Sequence, residues 1–253
     1  MPEIRPIPNT AALIVNFNNK NKKFIVVSDL HLGLEYAFHA DYVKEDPLFV
    51  LFENELSNLV ISNKANYLIL LGDIKNNIFK INNTDWKLLL NFFKTLSNYC
   101  EVYFVPGNHD SYINPVLVDS INLIGPRGMT IDDVLFTHGH TLPYCRPDVR
   151  TIIMGHMHPV FFKTGSILNG QRIWIFLKFK KKLFCPQSPG SVDLILMPSF
   201  NKNISYPEKR IEKSKIPSPF LQKLITNKGV ESSLVVGMDG SILGDLTTLN
   251  DIL

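Results

Sequence analysis

The chain has 253 residues, of which 45% are hydrophobic and 19% are charged, and its formal net charge is +3. This composition is typical of a globular protein with enough apolar material for a core, so metals are not needed to staple the fold. The small charge permits a polyanionic substrate without requiring one. We expect a cytoplasmic protein without membrane contact, because the sequence has neither a signal-like start nor an apolar run of roughly 20 residues.

The cysteines give no sign of pairing. There are three of them, Cys100, Cys145 and Cys185, and their spacing is irregular. An odd number of cysteines without a C-x-x-C pair is typical of buried or incidental thiols in a reducing compartment. The sequence therefore predicts free thiols.

The first part of the chain alternates strand and helix patterns. Two β-prone runs joined by an Asn- and Lys-rich segment predict a hairpin, and apolar residues at helical spacing predict two amphipathic helices. Thr84 is the expected N-cap of the second helix. In order, we predict strands at 11–17 and 24–28, a helix at 49–63, a strand at 67–71, a helix at 84–98 and a strand at 101–105.

The later part shows strand patterns without clear helices. A polar segment rich in Pro and Lys at 199–219 indicates a surface loop, and Asp239-Gly240 is a strong hairpin turn. We predict stacked sheets flanked by helices, with a core at 1–200 and a C-terminal loop and β-hairpin extension at 201–253 packed on it. The predicted strands are 134–137, 151–154, 172–179, 192–197 and two runs within 230–243.

Five polar clusters follow the apolar runs and contain six of the seven histidines. Each cluster alone is a weak signal, since Gly-Asp is usually a turn and histidine pairs often lie on the surface. Together they follow strand ends, where α/β folds gather ligands. Imidazole and carboxylate in this pattern predict a site for two divalent metals. The clusters are Asp29-Leu30-His31, Gly72-Asp73, Gly107-Asn108-His109-Asp110, His138-Gly139-His140 and Gly155-His156-Met157-His158.

The order and content of these clusters resemble the calcineurin-like metallophosphoesterase superfamily. The resemblance implies a four-layer α/β/β/α sandwich whose loops hold two metals, most plausibly Mn²⁺, with Fe²⁺ or Zn²⁺ as alternatives. Asp73 would bridge the metals, and His109 would be no ligand but would face the substrate. The implied ligands are Asp29, His31 and His158 for one metal, and Asn108, His138 and His156 for the other.

The resemblance also implies a mechanism. Two cations clamp a phosphate, and a water between them loses a proton to become the nucleophile. His109 would then protonate the leaving oxygen as general acid. Asp110 is expected either to orient His109 or to cap its loop. His140 has no ligand role, so it either orients a ligand or faces the substrate.

Two local segments resemble a particular subgroup of the superfamily. The stretch 28–35 resembles SbcD-related phosphoesterases, particularly an archaeal-type group and the bacterial ligase-associated endonucleases, and 196–201 resembles a downstream segment of that archaeal-type group. Too few residues follow Phe200 for the large cap of a true SbcD nuclease, and no ATPase loop is present. The resemblance implies cleavage of phosphodiesters in DNA or other nucleic acid. The alternatives are a phosphatase or phosphodiesterase for small nucleotides, or a non-catalytic binding module. The oligomeric state stays open, with a homodimer as one option.

Two basic features have alternative interpretations. The lysines at 178 and 180–182 lie beside Trp174, Phe176 and Phe179. They could contact a nucleic-acid backbone, or they could protect an edge strand whose aromatic residues face the core. Lys75 follows Asp73 closely and could contact a substrate phosphate or lie in a solvated loop.

Overall fold

The alternation of side chains along the strands builds two stacked sheets. In a computed structural model of the chain, the described residues are 2–17, 21–34, 47–78, 83–113, 121–163, 165–204 and 216–245. The first sheet contains, in spatial order, β1 (Glu3–Pro6), β2 (Leu13–Phe17), β3 (Lys22–Ser28), β4 (Tyr67–Leu71), β5 (Glu101–Val105) and β6 (Asn122–Leu123).

The second sheet has seven strands, in the order β13-β12-β10-β11-β9-β8-β7. Its strands β8, β9 and β11 run parallel to one another, and the remaining pairings are antiparallel. Their bounds are β7 (Met129–Ile131), β8 (Val134–Thr137), β9 (Thr151–Met154), β10 (Ile173–Lys180), β11 (Ser191–Leu196), β12 (Val230–Gly237) and β13 (Ile242–Gly244).

Three helices cover the outer faces of the sheets in the described parts of the chain. They are α1 (Pro47–Ser62), α2 (Asn83–Ser97) and α3 (Pro219–Thr226). Along β3, Ile25 and Val27 pack in the cluster that contains the apolar residues of α1 and α2. Phe24 and Val26 point the other way, into a cluster shared with β8–β11. A third cluster joins the far face of the second sheet to α3, so the layers are α/β/β/α, as expected.

Most of the predicted elements are confirmed within a residue or two. β4, β5, β8 and β9 have the predicted bounds. The hairpins β2–β3 and β12–β13 are both antiparallel, as predicted. Residues 18–20, 205–215 and 246–253 and the residue Glu35 lie outside the described part, so the predictions that fall on them stay predictions. The prediction of Thr84 as an N-cap is wrong, because α2 begins at Asn83 and Thr84 lies within the helix. The domain boundary at residue 200 also stays a prediction, although β12 pairs along β10 within the second sheet.

The expectation of a strand-rich second part without helices is wrong. α3 begins at Pro219, next to the segment expected to be a loop. Ser218 caps this helix: its hydroxyl accepts a hydrogen bond from the Leu221 N–H and donates one to the Gly139 carbonyl at 2.7 Å. Proline is common at the first position of a helix, because the backbone N–H that proline lacks has no intrahelical partner at that position. The helix thus covers the second sheet and is tied to the loop that carries His138.

The prediction of free thiols is also wrong in part. Cys145 and Cys185 form a disulfide with their Cα atoms 4.9 Å apart, across a sequence separation of 40 residues. Long-range pairing of this kind leaves no signature in local spacing. Cys100 is a half-buried free thiol whose pKa burial raises to about 11.

The interpretation of β10 as an edge strand is wrong too. β10 pairs with β11 on one side and with β12 on the other, so its backbone needs no protection by lysines. The expected inward orientation of the aromatic residues is confirmed, since Trp174 and Phe179 are fully buried. None of the helices that the described residues form is long and apolar enough to cross a bilayer.

Replacing Ser218 by alanine tests the link between α3 and the Gly139 loop. The Leu221 N–H and the Gly139 carbonyl would both lose a partner at a fully buried position. Loss of a cap or a buried hydrogen bond costs about 1–3 kcal/mol. We expect the free energy of unfolding, measured in urea, to fall by about that amount. Ser232→Ala, at an exposed serine of β12, should change it by less than about 0.5 kcal/mol. Equal effects of the two substitutions would contradict the link.

Candidate metal centre

The polar clusters begin where neighbouring strands end together. In the first sheet, Ser28, Leu71 and Val105 are paired across β3, β4 and β5, and each is the last residue of its strand. In the second sheet, Thr137 and Met154 are paired at the ends of β8 and β9. The loops that follow therefore leave each sheet at one level, which brings neighbouring clusters together.

Five residues in these loops adopt the left-handed backbone conformation. For a residue other than glycine this conformation costs roughly 1–3 kcal/mol and persists where the surroundings hold it. Here backbone hydrogen bonds hold it: the Asp29 N–H donates to the Gly72 carbonyl at 3.1 Å, and the His31 N–H donates to the Asp73 carbonyl at 2.8 Å. The φ values are 60° for Asp29, 45° for His31, 49° for Asp73, 70° for His156 and 42° for His158.

The resulting side chains form overlapping groups of metal-ligand atoms. Within each group, the ligand atoms all lie within 4.8 Å of one another. Two groups correspond to the two halves of the expected ligand set, apart from Asn108. The groups are Asp29, His31 and His158; Asp73, His138 and His156; and His31, Asp73 and His109.

Asp29 joins the two sheets at the centre of the site. Its Oδ1 lies 3.0 Å from the Nε2 atoms of both His138 and His158, and its Oδ2 accepts a hydrogen bond from the His156 N–H at 3.0 Å. Burial alone would raise the pKa of Asp29, but the neighbouring His158 and His138 hold it well below its ordinary value. The carboxylate is therefore ionised and available to a cation.

Two histidines present free nitrogens to the same space. Burial lowers the pKa of His31 and of His156 to about 4 in each case, so both rings are neutral near pH 7. The Nε2 atoms of both are buried and have no hydrogen-bond partner among the described residues. Neutral imidazole with a free nitrogen beside buried carboxylates is the donor set that divalent transition metals take. The residues present therefore fit a metal.

Asp73 lies between the two sets of histidines. Its Oδ2 is 3.7 Å from His31 Nε2 and 3.5 Å from His138 Nε2, while its Oδ1 accepts a hydrogen bond from the His109 N–H at 2.8 Å. A Cβ at Gly107 would come within 2.1 Å of Asp73 Oδ1. Glycine at 107 is therefore what allows this loop to approach the central carboxylate.

His109 belongs to the rim of the site. Its Nδ1 contacts the carbonyl oxygen of Asn76, so Nδ1 carries a proton and Nε2 is the nitrogen left for other work. The ring is half-buried, and its ligand nitrogen falls in one group with His31 and Asp73. Asn108, the remaining expected ligand, is exposed.

Asp110 fastens two loops together. Its Oδ1 accepts hydrogen bonds from the backbone N–H groups of Ile74 and Lys75 at 2.9 and 3.3 Å, and its Oδ2 accepts one from Gly107 at 2.7 Å. Burial and the charge of Asp73 raise the pKa of this carboxyl to about 6. These contacts favour the loop-capping alternative for Asp110, since the described contact that sets the His109 ring is with Asn76.

His140 contacts a proposed ligand from behind. Its Nδ1 lies 3.0 Å from Nδ1 of His138, whose other nitrogen faces Asp29 and Asp73. Burial would lower the pKa of His138, but its hydrogen bond to Asp29 and the charge of Asp73 raise it above the ordinary value. Ligating histidines usually pass their second ring N–H to a fixed acceptor. The contact favours the interpretation of His140 as a group that orients His138.

Three supporting residues were missed in the sequence. Ser28 donates to the Asp29 carboxylate and to the Leu71 carbonyl. Asn76 Oδ1 lies 3.3 Å from Nδ1 of His31. Asn201, fully buried, donates from Nδ2 to the Leu30 carbonyl at 2.9 Å. The sequence gives little indication of these roles. Each residue lies inside or next to a motif that was noted for another property, and no local pattern shows that residue 201 contacts residue 30.

The lysine stretch lies away from the site, and Lys75 is not in a solvated loop. Lys178 pairs in register with Asp193, which pairs with Thr151 at the amino end of β9, whereas His156 follows the carboxyl end of that strand. The lysine stretch is thus at the opposite end of the second sheet from the site. Lys75 is buried rather than solvated, and its ammonium donates to the carbonyls of Asn77 and His109.

Comparison with known proteins agrees with this geometry. Residues 22–144 match the calcineurin-like phosphoesterase family. No curated protein matches the chain. Among solved structures, the Pseudomonas putida nuclease MPE has a similar fold, with a TM-score of 0.53 and 16% identity over 94% of this chain and 98% of the nuclease. A protein of unknown function from Aquifex aeolicus, AQ665, has a TM-score of 0.36 and 19% identity over 56% of this chain and 81% of its own.

The match over residues 22–144 covers the part of the chain that carries Asp29, Asp73, His109 and His138, and the nuclease has a similar fold. Residues 22–144 are therefore a calcineurin-like phosphoesterase domain, which indicates a metal-dependent hydrolase of phosphate esters.

Proposed function

We propose that this enzyme holds two divalent metals and cleaves phosphodiester bonds in nucleic acid. The observation that carries the proposal is the convergence of two ligand groups on buried Asp29 and Asp73. Support for a nucleic-acid substrate comes from the nuclease with the similar fold, which this chain matches over nearly its whole length. Residues that follow the clusters, such as Tyr112, Leu142 and Phe162, are exposed, as suits a site open to a long substrate.

The proposed ligands are those of the family pattern. One metal would be held by Asp29, His31 and His158, and Asp73 would contact both metals. For the second metal, His138 and His156 are close to Asp73, and the exposed Asn108 would complete the set. Mn²⁺ is the proposed metal, with Fe²⁺ and Zn²⁺ as alternatives, because imidazole and carboxylate ligands accept all three. When bound, the metals would supply a deprotonated water and offset charge on the phosphoryl oxygens.

His109 is proposed as the general acid. The Asn76 carbonyl accepts from Nδ1, which fixes the ring, and the proposed acid is the imidazolium form, which carries its second proton on Nε2. Nε2–H is then free to pass its proton to the leaving oxygen as the P–O bond breaks. Asp110 would act through the loop, because it ties the backbone on either side of His109 to that after Asp73.

The proposal also covers the origin, assembly and location of the enzyme. An SbcD-related origin rests on the local segments at 28–35 and 196–201, and a homodimer is one option for assembly. A cytoplasmic location stays a prediction, and the Cys145–Cys185 disulfide is unusual for a reducing compartment.

Asp73→Asn and His109→Ala should fail in different ways. Losing the Asp73 charge should weaken metal loading and abolish activity, because this carboxylate is proposed to contact both metals. Losing His109 should spare the metals and lower kcat by about 10²–10⁴-fold. The His109→Ala penalty should be larger for an alkoxide than for a nitrophenolate leaving group, since the nitrophenolate needs no proton. Metal analysis and kinetics on paired diesters would measure both effects.

Asp148→Asn is the matched control, since this exposed carboxylate pairs with Arg146 on the surface. It should leave metal content and kinetics unchanged. Equal penalties for the two leaving groups in His109→Ala would reject the general-acid role.

A substrate panel tests the proposed activity directly. With Mn²⁺, we expect cleavage of DNA or RNA and of aryl diesters, with weak activity on monoesters and cyclic nucleotides. Single-stranded and duplex DNA, RNA, cyclic nucleotides, and aryl mono- and diesters should be assayed together, and Asp73→Asn protein should be inactive on all of them. If the enzyme hydrolyses monoesters or small nucleotides well and leaves every nucleic acid intact, the small-nucleotide alternative replaces the proposal.

A further inference from the structure

Tyr112 combines an unfavourable backbone with an exposed ring. Its φ is 71°, a left-handed conformation that is a clear outlier for a bulky residue. Its side chain is 66% exposed, as a large hydrophobic side chain on the surface. Turn positions with this conformation are usually occupied by glycine or asparagine.

The strain at Tyr112 follows from how its turn is fixed at both ends. The turn runs from Asp110 to Ile113, closed by the Ile113 N–H donating to the Asp110 carbonyl at 3.3 Å. Asp110 is held by three backbone N–H groups, and Ile113 is buried in the core. The chain between them must bend through a left-handed residue. Glycine would do this without cost, so folding does not account for tyrosine at this position.

The position of the turn connects Tyr112 to the chemistry. The ends of such a turn lie within about 7 Å of each other, and Asp110 is the neighbour of His109, the proposed acid at the leaving oxygen. Tyr112 therefore lies in the turn that begins at the residue after His109, the group proposed to face the leaving oxygen. Strained residues are common at functional sites, where selection for function outweighs their cost in stability. An exposed, strained aromatic residue next to a reacting centre fits this pattern.

We propose that Tyr112 stacks on the nucleobase of the nucleoside that carries the leaving oxygen. This inference rests on the proposed nucleic-acid activity and names the feature of the substrate that the site would recognise. A phenol ring offers a flat apolar face that stacks on any base, so the contact would be tolerant of sequence. It requires a base whose face is accessible, which favours single strands and ends over intact duplex.

Dinucleotides with one phosphodiester bond make the sharpest test, because the leaving side is then defined. Three substrates are compared: the intact dinucleotide, an analogue that lacks the base on the leaving side, and an analogue that lacks the base on the other side. Stacking is worth about 1–3 kcal/mol per base, so Tyr112→Gly should lower kcat/KM about 5- to 150-fold on the intact dinucleotide. The loss should persist without the other base and vanish without the leaving-side base.

Three controls separate stacking from folding. Tyr112→Phe keeps the ring and should keep the activity. Tyr112→Gly should be at least as stable as the wild type in urea, because glycine adopts this φ freely. Tyr99, an exposed tyrosine before the amino end of β5, lies at the end of the strand away from the site, so Tyr99→Ala should leave all three substrates unaffected.

The outcomes distinguish this inference from the proposed function. If the wild type cleaves the dinucleotide and Tyr112→Gly is as fast, or is slowed equally on all three substrates, the stacking role is wrong and the nuclease activity stands. If the wild type with Mn²⁺ cleaves neither the dinucleotide nor any nucleic acid of greater length, the proposed function fails and the stacking role fails with it.

Discussion

The site depends on one buried carboxylate that both sheets share. Asp29 follows a strand of the first sheet, yet its partners are His138, His156 and His158 from loops of the second sheet. The two sheets pack face to face through a shared apolar core, and this polar contact joins them at the end where the strands stop. A charge placed there is stable only with cationic or metal partners, because burial otherwise raises the energy of the ionised form.

The left-handed residues at the strand ends also serve to bring the ligand side chains together. A tight bend at each strand end turns its side chains inward over the edge of the sheet, which a regular continuation of the strand would not do. The conformational cost is offset by backbone hydrogen bonds between loops, by the clamp that Asp110 makes, and by Asn201, which holds the Leu30 carbonyl. These contacts among the protein's own residues hold the ligand-bearing loops in position.

The sequence could predict what local pattern determines. Strand ends followed by Asp29-Leu30-His31 or by Gly155-His156-Met157-His158 identified both the elements and the site, because periodicity and ligand chemistry are readable over a few residues. α3 was missed although Ser218-Pro219 is a recognisable helix start, since the polar stretch before it dominated the interpretation. The cysteine pair, the central position of β10 and the contacts of Asn201 depend on residues far apart in the chain, which no local pattern encodes.

The proposed mechanism requires two metals, one on either side of Asp73. A crystal structure of the protein loaded with Mn²⁺, with anomalous scattering recorded to locate the metal, would show whether they bind there. We expect two anomalous peaks, both in contact with Asp73, one beside Asp29, His31 and His158 and the other beside His138 and His156. A single peak, or two peaks of which only one contacts Asp73, would contradict this mechanism.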